Sequence, residues 1–127
     1  MSTVLARAVA PLALMGLIFY LSAQSDPGAD IGTAGRILAH AGEYALLTGL
    51  WWWALGPVLG ARALAAAVAI SFAYAITDEI HQSFVAGRDA DPLDVLTDLA
   101  GIALAALAIS RAGRSRRRAR RAHAPPA

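Results

Sequence analysis

Residues 44–61 read Tyr-Ala-Leu-Leu-Thr-Gly-Leu-Trp-Trp-Trp-Ala-Leu-Gly-Pro-Val-Leu-Gly-Ala, without a single charge. A helix that crosses a bilayer needs about 20 mostly apolar residues, and this stretch supplies most of a span over residues 37–55. Similar stretches lie on either side. No residue in 8–25 is charged, which gives a span over 4–21. An uncharged core at 63–77 sits in a third span over 64–82, and a fourth runs over 93–110, uncharged from residue 99 onward. The last two stretches are short, so span three must draw in Asp78 or Glu79 and span four must draw in Asp98. Lipid cannot solvate such groups, so they must face other helices or water. The expected fold is all-α, an integral membrane four-helix bundle.

Composition agrees. Of 127 residues, 57% are hydrophobic and 16% charged, against about a quarter charged in a soluble domain. The absence of Cys excludes disulfides, thiolate zinc sites and Cys nucleophiles. No glycine-rich phosphate loop or dinucleotide fingerprint appears. The first segment has the outline of a signal peptide, with Arg7 ahead of an apolar run. Leu21-Ser22-Ala23, however, places a large residue where cleavage wants a small one, so an uncleaved span is expected.

All eleven basic residues are Arg. Arg7, Arg62, Arg111, Arg114, Arg116, Arg117, Arg118, Arg120 and Arg121 fall on one side of a four-span reading. Asp26, Asp30, Asp78, Glu79, Asp89, Asp91 and Asp94 fall on the other. The basic side is expected to be cytoplasmic, with both termini there. Trp51, Trp52 and Trp53 then lie near the inner interface, where indole rings collect. Two units are expected: a four-span domain over 1–110 and a disordered Arg-rich cytoplasmic tail over 111–127. The tail lacks the folded basic surface or interleaved aromatics of a nucleic-acid binder; it reads as a topology signal with attraction to anionic lipid. His123 is expected to be idle.

The polar residues gather toward the acidic side. His40, Glu43 and Tyr44 open span two at spacings that share one helix face. Ser71, Tyr74, Asp78 and Gln82 form a stripe on span three, flanked by Glu79 and His81, with Phe72, Ala73, Ile76 and Ile80 opposite. Asp91-Pro92-Leu93-Asp94 opens span four, with Asp91 as N-cap and Pro92 at the first helical position. Capping accounts for Asp91, and for Asp94 a capping-box role and a functional role both stand. Asp98 lies a full turn inside an apolar span. A mid-bilayer Asp costs about 2.5–3.5 kcal/mol on insertion scales, which a partner such as Arg88, His40 or Tyr44 would offset. Gly101 and Ala105 continue the same face and would let another helix approach closely. His40 with Glu43 reads equally as an internal pair or a ligand-facing one. Asp89 reads as a solvated loop charge, and Ser22 and Gln24 as the cap of span one. Gly87 permits a tight turn that aims Arg88 back over the bundle.

Four segments carry a family resemblance. His40-Ala-Gly-Glu43-Tyr44-Ala-Leu-Leu resembles the start of the second helix in VanZ-like membrane proteins. The stretch from Asp78 through Glu79, Gln82, Phe84 and Gly87 to Arg88 resembles their segment ending in Gly-Arg, with Ala86 where Pro is common. Asp94-Val-Leu-Thr-Asp98-Leu-Ala-Gly101 resembles the start of their last helix, with Asp98 where Asn is common. Leu21-Ser22-Ala-Gln24-Ser is similar to the polar close of their first helix. The resemblance covers roughly residues 15–108. It implies a small bacterial inner-membrane protein in a family whose namesake is associated with low-level teicoplanin resistance, and it carries no defined reaction.

The expected function is an outward-facing polar pocket that binds a lipid headgroup or cell-envelope precursor. Its lining is expected from His40, Glu43, Tyr44, Asp78, Glu79, Gln82, Arg88, Asp94 and Asp98, with Arg88 meeting a phosphate or carboxylate. The alternative is a membrane enzyme on a lipid-linked envelope substrate, with Glu79 or Asp94 as base and His40 sharing proton transfer. A metal held by His40, Glu43, Glu79 and His81 is disfavoured, because Glu-x-His cannot put both side chains squarely on one face. No resident metal or cofactor is expected. An ion path through Asp98 is disfavoured by the apolar run over 102–108.

Overall fold

The computed structural model of the chain describes residues 2–24, 32–87 and 91–122. They form four α-helices and no strand: α1 (Ser2–Ser22), α2 (Gly32–Leu59), α3 (Ala63–Gln82) and α4 (Pro92–Ala122), with a 3-10 turn at Gly60–Arg62. Three runs are long and apolar enough to cross a membrane: Thr3–Ser22, Gly32–Gln82 and Pro92–Arg116. The middle run is a hairpin of α2, the turn and α3. Gly60 takes a φ of 51° there, a left-handed conformation that costs glycine little. The arms fold back far enough to bring the Tyr44 and Tyr74 rings to 6.3 Å. A straight helix would hold those residues about 45 Å apart.

Two boundaries differ from the sequence reading. α2 begins at Gly32, ahead of the span edge set by the charge of Arg36, because hydropathy limits a span but not a helix. α4 runs on to Ala122, where a disordered tail from residue 111 was expected. Ala and Arg are strong helix formers, a lone Gly113 is tolerable, and no Pro intervenes before residue 125. His123 lies outside the described residues.

Directions follow from cross-helix pairs. Arg36, His40 and Ala41 of α2 meet Asp94, Asp98 and Gly101 of α4 in the same order, so these two helices run parallel. Met15 and Ser22 of α1 likewise meet Tyr74 and Asp78 of α3. α2 touches all three other helices, whereas α1 and α4 do not meet among the described residues. At the α2–α4 crossing a Cβ on Gly101 would overlap the Ala41 carbonyl. This is the close approach expected of that face.

The core is small: Ile18, Tyr44, Leu47, Ala75 and Ile102, ringed by Leu14, Met15, Trp51, Val68, Tyr74 and Leu99. Phe72, Ile76 and Ile80 face outward, as the α3 stripe predicts, and so do Leu5, Val9 and Leu38. Large side chains turned outward on all sides suit a hydrocarbon solvent. At the end that carries the turn, Pro57 has no N–H to give the Trp53 carbonyl one helical turn earlier. Arg7 Nη1 approaches that carbonyl at 3.3 Å, and its guanidinium lies 4.8 Å from the Trp53 ring centroid. This ties the start of α1 to the end of α2.

Candidate functional site

The opposite end is built from the start of α4 upward. Asp91 Oδ1 accepts the Leu93 N–H at 2.9 Å, the N-cap geometry expected of Asp-Pro. The Asp91 backbone N–H lies within hydrogen-bonding reach of Glu79 on α3, so a neighbouring helix fills the capping-box place foreseen for Asp94. That frees the Asp94 carboxylate to turn inward. It accepts from Arg36 Nη2 at 3.0 Å, and Arg36 also reaches Asp91 at 3.5 Å. The Arg36 side chain is 53% exposed while that of Asp94 is 10% exposed, so the guanidinium keeps donor faces open at the mouth.

One turn deeper, His40 Nδ1 lies 2.9 Å from Asp98 Oδ1. His40 Nε2 is 3.8 Å from Asp94. Asp98 is only 3% exposed, and His40 is the partner that an acid inside an apolar span requires. The three α4 positions Asp91, Asp94 and Asp98 thus descend along one face against Arg36 and His40, whose spacing of four gives the matching face of α2.

A second carboxylate group is held from the α1 side. Asp78 Oδ1 lies 2.7 Å from Ser22 Oγ, and Asp78 Oδ2 accepts from Gln82 Nε2 at 3.0 Å. Ser22 Oγ also lies 3.1 Å from the Phe19 carbonyl of its own helix, so its proton has two acceptors with the carboxylate nearer. Ser22 therefore does more than cap its own helix.

Between the two groups sits Tyr44, fully buried, its hydroxyl without a partner. It is within electrostatic reach of Asp78, Asp98 and Glu43. Its neighbour Tyr74 donates to the Met15 carbonyl. Glu79 Oε1 is likewise buried and unpartnered. Below these groups Ile18, Leu47, Ala75 and Ile102 pack together, with the hydroxyls of Thr48 and Ser71 buried among the helices at the same depth.

The structure brings together His40, Glu43, Tyr44, Asp78, Gln82, Glu79, Asp94 and Asp98 at one end of the helices. Arg88 and Asp89 lie outside the described residues. Gly87 takes a φ of 84°, the tight-turn conformation expected of it. Asp94 is met by Arg36, which the sequence reading passed over. Its spacing of four from His40 was the available signal. His81 stacks on Phe19 of α1, with ring centroids 4.1 Å apart. No three His, Asp or Glu residues converge to hold a metal among the described residues. What remains is a polar site with an open cation at its mouth, carboxylates along its walls and unsatisfied hydroxyl and carboxylate atoms inside.

The sequence pattern of one family, VanZ/LLP1, matches residues 9–113. The matched stretch takes in α2 and α3 whole, most of α1 and α4, and every residue of the polar site. No curated protein and no solved structure matches the chain.

Proposed function

The chain belongs to the VanZ/LLP1 family, and from that premise we propose that it is a four-crossing protein of the bacterial cytoplasmic membrane whose polar site faces outward and binds a lipid headgroup or cell-envelope precursor. The described arginines outside the site, Arg7, Arg62, Arg111, Arg114, Arg116 and Arg118, lie toward the end opposite the acids. The positive-inside rule then puts both termini in the cytoplasm. A periplasmic reporter fused after Ala127 stays inactive on this reading, and an active one reverses it.

One observation carries the binding reading: the half-exposed Arg36 stands at the same end of the helices as two buried polar atoms without partners, the Tyr44 hydroxyl and Glu79 Oε1. An Arg fork suits a phosphate or carboxylate, and buried polar atoms without partners are costly unless something completes them. Full-length protein extracted in mild detergent is expected to carry lipid of one headgroup class in native mass spectrometry. Arg36→Ala is expected to lose that lipid while remaining folded. An identical lipid complement in both proteins counts against the proposal. A link to glycopeptide resistance is tested separately, by teicoplanin susceptibility with and without the gene.

A second reading has its own support. Asp98 fixes one nitrogen of His40 and leaves the other toward Asp94, the way a carboxylate orients a general base. On that reading, with Glu79 or Asp94 sharing proton transfer, His40→Ala makes a lipid species accumulate that wild-type cells convert. Unchanged lipid chemistry in that strain leaves binding alone.

A further inference from the structure

Two tyrosines with touching neighbourhoods are treated differently by the fold. Tyr74 gives its proton to the Met15 carbonyl of α1. Tyr44, whose ring centroid is 6.3 Å away, is wholly buried and gives its proton to nothing. Three carboxylates lie within electrostatic reach of Tyr44: Glu43 from its own helix, Asp78 from α3 and Asp98 from α4. Asp98 has His40, and Asp78 has only the neutral donors Ser22 and Gln82. Glu43 makes no side-chain hydrogen bond among the described residues and feels His40 only at longer range. Carboxylates so placed accept and cannot donate, while a phenol does both.

We infer that the inner part of this site receives a primary ammonium group, its N–H donors directed to the Tyr44 hydroxyl and to the carboxylates of Glu43 and Asp78. The inference rests on the headgroup-binding reading above and narrows the ligand class. A primary ammonium brings three donors, of which Tyr44 and Glu43 have none from the described side chains, and a positive charge that the neutral donors on Asp78 do not supply. A quaternary ammonium brings the charge without the donors, and a glycerol headgroup brings hydroxyls without the charge. A bare metal ion would need ligand atoms gathered around one point, and no such group occurs among the described residues. Arg36 lies two helical turns above Tyr44, about 12 Å along the axis, so an anionic group on the same ligand meets a separate part of the site. The ammonium could arrive on a phospholipid headgroup or on a free phosphoamine.

The test uses full-length protein in detergent and four probes: dihexanoyl phosphatidylethanolamine, dihexanoyl phosphatidylcholine, dihexanoyl phosphatidylglycerol and free phosphoethanolamine. The ethanolamine lipid is expected to bind at least tenfold more tightly than the choline and glycerol lipids. Binding of free phosphoethanolamine at equal affinity assigns the recognition to the headgroup alone, and weaker binding assigns part of it to the acyl chains; both support the ammonium. Tyr44→Phe removes an oxygen that has no partner, so ligand-free thermal stability is expected to hold or rise while ethanolamine-lipid affinity falls about tenfold. Glu43→Gln, at a half-buried position outside the core, is expected to weaken the same probe and spare the glycerol lipid. Equal binding of all three lipids overturns the ammonium inference and leaves headgroup binding standing. No binding of any probe overturns both. A Tyr44→Phe protein that unfolds more readily without ligand, yet binds normally, means the hydroxyl holds only a structural water.

Discussion

Where α2 and α4 begin, Arg36 lies 3.0 Å from Asp94 and His40 lies 2.9 Å from Asp98. At the far end of α4, Arg111, Arg114, Arg116 and Arg118 stand exposed, and the sequence has no acid after Asp98. The first end takes charge inside and pairs it across helices. The second leaves charge on a single helix, turned outward. Charge that is paired between helices becomes part of the packing, so its removal is felt by the fold. Charge on a projecting helix acts on whatever lies around it and contributes little to the fold itself. Three sets of substitutions separate the two behaviours.

The largest effect is expected from the contact that lets the paired end form. Gly101→Ala drives a Cβ into the Ala41 backbone carbonyl, and backbone cannot yield as a flexible side chain does. Overpacking of this kind costs about 1–3 kcal/mol or more, enough to lower the thermal midpoint in detergent by several degrees. Gly113→Ala in the same helix meets nothing within 4 Å and is expected to raise stability by about 0.5–1 kcal/mol. Thermal unfolding of the two variants should move in opposite directions. A stable Gly101→Ala protein would show that α2 and α4 stand farther apart.

Next comes Asp98→Ala, which leaves His40 without its partner in a nearly buried position. An unsatisfied polar group of this kind costs about 1–3 kcal/mol. Asp98→Asn keeps an acceptor for the ring and should recover part of the loss. If both variants unfold with the wild type, the His40–Asp98 contact is not holding the helices together. The smallest effect belongs to the other end. Replacing Arg111, Arg114, Arg116 and Arg118 by Gln should shift stability by no more than about 0.5 kcal/mol. It should also weaken sedimentation with anionic vesicles at low salt. A large stability loss would erase the distinction between the ends.

Much of this was legible in residue order. Charge-free stretches located the helices, and the stripe of Ser71, Asp78 and Gln82 is the buried face of α3. The spacing of His40, Glu43 and Tyr44 and the placing of Asp91, Asp94 and Asp98 named both walls of the site. What the sequence hid was pairing. Arg36 sits just outside a span drawn by hydropathy, and nothing local says that α2 lies parallel to α4 with these residues in register. Ser22 looked like a helix end because its reach to Asp78 depends on α1 and α3 standing side by side. The helical continuation of α4 was masked by composition, since an Arg-rich tail reads as solvated chain while the Ala and Arg that fill most of it to residue 122 favour helix.

The bare backbone at Gly101 also bears on how the molecule could move. Sliding α4 by one residue would press a side chain into the Ala41 carbonyl, so α2 and α4 are pinned in register and travel as one body. The short turn at Gly60–Arg62 tethers α3 to that body. α1 stands outside that pinned pair: it does not meet α4, and near the site it is fastened by Ser22 on Asp78 and Met15 on Tyr74. The Asp78 half of the site therefore depends on where α1 stands, while Arg36 on Asp94 and His40 on Asp98 depend only on α2 and α4.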